Sequence, residues 1–171
     1  IGMSMVYFAW SLAAQMWVMQ KVDKQLAELG LQDAPRLVTA TPFNTLVWQV
    51  LVLTPDGVLS GSHSISQDDA AAPLRFQHVA SDVALLPRLA NNMALQRLQR
   101  FNQGYFIVRE VGGKLIISDV RMGREPHYTF NFAIAQLHEG TWQELTPPEQ
   151  IQDRPDIKQE WGYLQKRLWG E

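Results

Sequence analysis

Ile1 to Gln20 carry no charged side chain, and this stretch constrains the fold of the 171-residue chain more than any other feature. It is rich in Met, Ala, Val and aromatics, among them Tyr7, Phe8, Trp10 and Trp17. At about 1.5 Å per residue, some twenty helical residues cover about 30 Å, the thickness of a bilayer core. Gly2, Ser4, Ser11, Ala13, Ala14 and Gln15 dilute the stretch, so a partly buried helix of a water-exposed domain is the competing reading. A secretory signal peptide does not fit, because the basic amino-terminal region is missing and charge first enters at Lys21. Beginning at Ile rather than Met, the chain reads as a piece of something longer.

Helical spacing continues through Val18, Val22, Leu26 and Leu29, and Gly30 stands where a C-terminal cap belongs. One helix from about Met3 to Leu29 follows, apolar nearly all round at first and amphipathic once Lys21, Asp23, Lys24 and Glu28 enter. Such a switch suits a helix leaving a membrane and joining a domain, with Trp17 near the boundary.

From Arg36 the pattern becomes β. Leu46 to Leu53 reads as a buried strand, Thr54-Pro55-Asp56-Gly57 as a turn, and Val58 to Ile65 as the return strand. Gln67 to Pro73 reads as a loop, and Phe76 to Val79 as a short strand. Beyond Pro87, the spacing of Leu89, Met93, Leu95, Leu98 and Phe101 predicts an amphipathic helix. A meander follows: Tyr105 to Val108, a Gly112-Gly113 turn, Leu115 to Val120, Tyr128 to Leu137 and Thr141 to Gln143. Pro147-Pro148 interrupts the chain. A terminal helix with Asp153 as N-cap and Pro155 in its first turn then presents Ile157, Trp161, Leu164 and Leu168 to the sheet. The expected class is α+β: an antiparallel meander sheet packed by two or three helices and preceded by the long N-terminal helix. Residues 1–30 are expected to be a membrane-derived or linker helix and residues 31–171 a single α+β soluble domain.

A net charge of −2 and a pI near 6.1, with no Lys/Arg run, leave little for a nucleic acid to bind. The absence of Cys excludes disulfides and thiolate chemistry. The histidines His63, His78, His127 and His138 lack metal-binding spacing. Ser60, Ser62, Ser64 and Ser66 alternate around His63 and precede Asp68, but no nucleophile-elbow pattern accompanies them, so they read as the solvated face of a strand.

Polar chemistry is most concentrated between Ser118 and Tyr128, where Asp119, Arg121, Arg124, Glu125 and His127 join two apolar segments. Arg121 and Arg124 could clamp an anionic group between two guanidinium forks, or Asp119 and Glu125 could absorb them as internal ion pairs. Asn44 and Trp48, in Thr41-Pro42-Phe43-Asn44-Thr45-Leu46-Val47-Trp48, form the second conspicuous segment, either a strand entry with an aromatic anchor or part of a site.

The stretches 41–48, Phe101 with Gly104-Tyr105-Phe106, and Ser118-Asp119-Val120-Arg121-Met122-Gly123 together resemble the carboxy-terminal region of the bacterial YdjM-like membrane-bound metal-dependent hydrolases. Val120 stands where that family typically has Leu. The resemblance implies an integral protein of the bacterial inner membrane whose last membrane segment runs into this domain. It also implies that any divalent metal is held by His- and Asp-containing motifs outside this chain, so no catalytic or metal-ligating residue carries over. The alternative is a non-catalytic binding or interaction module. The expected partners are a membrane through the N-terminal helix, and an anionic small molecule or a protein.

Overall fold

The computed structural model of the protein describes residues 2–42, 44–152 and 157–170. In chain order it contains α1 (Gly2–Glu28), β1 (Arg36–Ala40), β2 (Val47–Thr54), β3 (Gly57–Ser64), β4 (Phe76–Ala80), a 3-10 helix (Val83–Leu89) and α2 (Met93–Asn102). There follow β5 (Phe106–Val111), β6 (Lys114–Asp119), the short β7 (Gly123–Arg124) and β8 (His127–Tyr128), β9 (Asn131–His138), β10 (Thr141–Ile151) and α3 (Ile157–Trp169).

The class is α+β with antiparallel sheets and a long N-terminal helix, as the periodicities require. In place of one sheet there are two, ordered β1-β2-β3-β4 and β10-β9-β6-β5, with β7-β8 as a separate ribbon. The second sheet stops at β5 because a turn occupies that edge: the Asp82 amide donates to the Val108 carbonyl, and the Val108 amide donates to Ser81 Oγ. An edge whose backbone groups are already bonded offers nothing to a further strand.

The chain divides into two compact units, residues 1–52, 59–77 and 157–171 in the first and residues 53–58 and 78–156 in the second. α1 is fastened into the first unit. Ala14, Val18, Val22 and Leu26, four residues apart, form a buried stripe that packs with Val38, Trp48, Val50, Val52 and Leu74. In the second unit Leu89, Leu95, Val108, Leu115, Ile117, Ile134 and Ala135 form the core.

Gly2 to Trp10 of α1 are exposed throughout. Among the described residues no helix is long and apolar enough to cross a membrane.

Three local expectations are corrected. The helix expected from Leu89 begins at Met93, because the Asn92 side chain accepts from Leu95 N at 2.8 Å and caps it, leaving the preceding turn as the 3-10 helix. Pro147-Pro148 lies inside β10 rather than ending the segment: pairing with β9 lapses between Glu144 and Glu149, and an edge strand tolerates the missing donors there. α3 forms as expected, but Trp161 on its supposed sheet-facing stripe is 58% exposed. The expected cap Asp153 and first-turn Pro155 lie outside the described residues.

Candidate functional site

In β3 and the turn after it, alternate side chains point to opposite faces. Ser62, Ser64 and Ser66, read from sequence as a solvated face, instead receive the end of α3. Ser62 Oγ lies 2.9 Å from the Tyr163 hydroxyl, Ser64 Oγ donates to the Arg167 carbonyl at 2.6 Å, and Ser66 Oγ donates to the Leu168 carbonyl at 3.2 Å. Gln67 Nε2 also donates to Leu168 O, at 3.1 Å. The last carbonyls of a helix have no partner within it, and these side chains supply one.

Asp68 completes the attachment. Arg167 donates Nη1 to Asp68 Oδ1 at 2.9 Å and Nη2 to Oδ2 at 2.6 Å, a two-pronged charged pair. The Ser64 amide donates to Asp68 Oδ2 at 2.9 Å, and Nδ1 of His63 lies 3.3 Å from the same oxygen. Burial opposes the charge on Asp68, but the Arg167 and Ser64 hydrogen bonds outweigh it and hold the carboxyl below its ordinary range.

His63 is 1% exposed, and its ring lies 5.3 Å from that of Trp17. With Asp68 beside Nδ1, the proton belongs on that nitrogen, and Nε2 has no hydrogen-bond partner among the described residues. Burial, then Lys21 and Arg167, push the His63 pKa below 6.5 against the opposing pull of Asp68. The Ser62 and Ser64 hydroxyls are turned to α3, so neither is presented to His63 as a nucleophile would be. Among the described residues no three His, Asp or Glu side chains gather as a metal would need.

A pH dependence follows. A histidine whose folded pKa is depressed contributes stability that is complete above pH 6.5 and lost as pH falls below it, because the unfolded chain takes up the proton first. The loss is expected to approach about 1.4 kcal/mol per pH unit until the folded-state pKa is reached. Denaturant unfolding at pH 8 and pH 5, with His63→Gln for comparison, measures it. NMR titration of the ring should give a midpoint below 6.5, and a midpoint above that value would refute the assignment.

Beside this cluster a cleft of about 560 Å³ is lined by Ser62, His63, Gln67, Asp68, Arg75 and Arg167, with Asp69, Tyr163 and residues 72–74 completing its wall.

The charged joint belongs to the second unit, and its charges are largely matched internally. Buried Asp119 accepts from Arg121 through the backbone amide at 3.0 Å, Nε at 3.0 Å and Nη2 at 2.7 Å. These hydrogen bonds raise the Arg121 pKa, and its guanidinium lies 5.2 Å over the Phe101 ring. Arg109 pairs with Glu125 at 2.7 Å. Tyr128 is buried, and burial followed by Glu125 pushes its phenol well above the ordinary range. Arg124 and His127 face each other across the β7-β8 ribbon, and each is engaged. Gly123, at φ 112°, closes the ribbon where a Cβ would lie 2.5 Å from the His127 carbonyl oxygen.

Asn44 and Trp48 belong to the first unit. Asn44 Oδ1 accepts from the amides of Leu46 at 3.0 Å and Val47 at 2.8 Å, while Nδ2 donates to Thr41 Oγ1 at 2.7 Å, which locks the entry to β2. Trp48 is buried in the core, its Nε1 donating to the Thr45 carbonyl at 3.0 Å.

No family model, curated protein or solved structure matches this chain. Arg75, Tyr163 and Arg167 were missed in sequence. The Ser62-His63-Ser64 alternation and Asp68 were visible there, but their partner Arg167 lies 99 residues beyond Asp68.

Proposed function

We propose that this chain is the water-exposed module of a membrane-bound protein of the bacterial inner membrane. In it the module binds and positions, while any metal-dependent hydrolytic chemistry belongs to motifs outside the chain. The observation that carries the membrane part is the exposed start of α1. Met3, Met5, Val6, Tyr7 and Phe8 are between 58% and 89% exposed. At about 100° per residue they spread round the whole helix, with no gap wider than about 100°. A partner protein covers one stripe of such a helix, whereas lipid covers all of it.

Among the described residues, the first side-chain hydrogen bond from this end of α1 to the rest of its unit is that of Trp10, whose Nε1 donates to Thr45 Oγ1 at 3.2 Å. An indole with an apolar ring and a polar N–H suits the boundary between lipid and water. Gly2 to Ala9 cover about 12 Å as helix, a depth that fits within a bilayer core of about 30 Å.

The test is flotation with phosphatidylethanolamine/phosphatidylglycerol vesicles. Wild type is expected to float. Met5→Lys/Phe8→Lys, changed only at exposed positions, is expected to lose at least about tenfold in partitioning, given about 1.5–3 kcal/mol for each large apolar side chain buried. Equal flotation of the two proteins, or none by wild type, would defeat the reading.

A further inference from the structure

The cleft beside Asp68 has a charge pattern that goes beyond the membrane reading. Arg75 and Arg167 line it together with two carboxylates, Asp68 and Asp69, and Lys21 stands behind its wall, bonded to the 69–70 loop. Both carboxylates are already engaged. Arg167 takes both oxygens of Asp68, and Asp69 Oδ1 accepts from the Ala71 amide at 2.8 Å. Among the described residues Lys21 Nζ donates to the carbonyls of Asp69 at 3.0 Å and Ala70 at 3.1 Å and pairs with no carboxylate. Arg75 is exposed at the cleft and has no ion-pair partner among the described residues. With Lys21 behind the wall, three cations stand against two carboxylates among the described side chains, in agreement with the downward push of Lys21 and Arg167 on His63.

The wall that carries Arg75 is held in place. Gln25 on α1 donates Nε2 to the Leu74 carbonyl at 2.8 Å and accepts the Leu74 amide at 2.7 Å, while Lys21 secures the other end of the loop. Leu74 is itself buried, so Arg75 leaves a fixed backbone. A guanidinium so placed offers a planar two-pronged donor, which oxyanions match. The volume exceeds that of a bare ion and falls in the range of small-molecule sites. Ser62, Gln67 and Tyr163 supply polar lining for the remainder.

We propose that this cleft binds a small polar molecule through its phosphate or carboxylate group, with Arg75 as the principal contact. The anionic group is thereby assigned to the first unit and to Arg75, in place of Arg121 and Arg124.

The test uses the full chain labelled with ¹⁵N and titrated with inorganic phosphate and, separately, citrate at constant ionic strength. Saturable amide shifts confined to the neighbourhood of residues 62, 67 and 75 are expected. Arg75→Gln should weaken them at least about tenfold, as loss of a charge-assisted two-pronged contact implies. Arg88→Gln, an exposed arginine elsewhere, should leave them unchanged. Shifts that do not saturate, or that are the same in Arg75→Gln, overturn the proposal.

A second arm separates the sources of the anion. If Arg75→Gln also weakens vesicle flotation and phosphate competes with vesicles, the group is a lipid headgroup; if flotation is unchanged, it is a soluble metabolite. Either result supports the site. The phosphate titration requires no vesicle, so failure of the α1 reading and failure of the cleft are seen separately.

Discussion

Trp48→Ala is expected to lower the unfolding free energy by about 4 kcal/mol, the usual cost of emptying a fully buried indole site. Trp48 is 2% exposed, packs with Val18, Val22, Val38 and Val50 in the core of the first unit, and donates its indole N–H to the Thr45 carbonyl. The substitution therefore leaves a large void and one orphaned acceptor. Trp48→Phe keeps most of the volume and should cost roughly half as much. Guanidinium unfolding followed by far-UV circular dichroism measures both. A loss under about 1 kcal/mol for the alanine variant would mean that the indole is not an anchor, and would return Trp48 to the list of residues open to a partner.

Asp119→Ala should cost about 3 kcal/mol, near the lower end of the range for breaking a buried ion pair, because Arg121 keeps some contact with water. The carboxylate is 3% exposed and accepts three of the Arg121 donors. Removing it strands a guanidinium over Phe101 and frees the backbone amide that starts the turn. Arg121→Ala, the reverse truncation, strands the buried carboxylate and should be at least as damaging. Urea unfolding of the two single variants and the double variant provides a cycle, in which a coupling of at least about 1 kcal/mol is expected. Purely additive losses would show that the pair does not hold the joint, and would reopen Arg121 as an anion clamp.

Charges packed closely along a chain are often within reach of one another, so Asp119 can satisfy Arg121 two residues on without outside help. The clamp and the internal ion pair were both legible in sequence, and only side-chain geometry separates them. Asn44 behaves likewise, bonding the chain at Thr41, Leu46 and Val47. By contrast Arg75, in a segment that reads only as loop, pairs with no carboxylate among the described residues, and its surroundings are assembled from β3, the loop after it and α3.

The serines of β3 show the same limit from the other side. Period-two spacing correctly places Ser62 and Ser64 on one face and His63 on the other, since a strand alternates by its own geometry. What covers each face depends on elements far away in sequence, here α3 on the serines and Trp17 of α1 on the imidazole.

The uncharged opening segment was enough by itself to establish a long helix, and the alternation of the later segments was enough to establish antiparallel strands, because both follow from local backbone periodicity. The tertiary structure decided that the strands form two sheets, that α1 belongs to the first unit through a four-residue stripe, and that its apolar beginning stays uncovered. It also decided which charges are paired. Pairing and burial depend on distances between residues remote along the chain, and no local pattern encodes those distances.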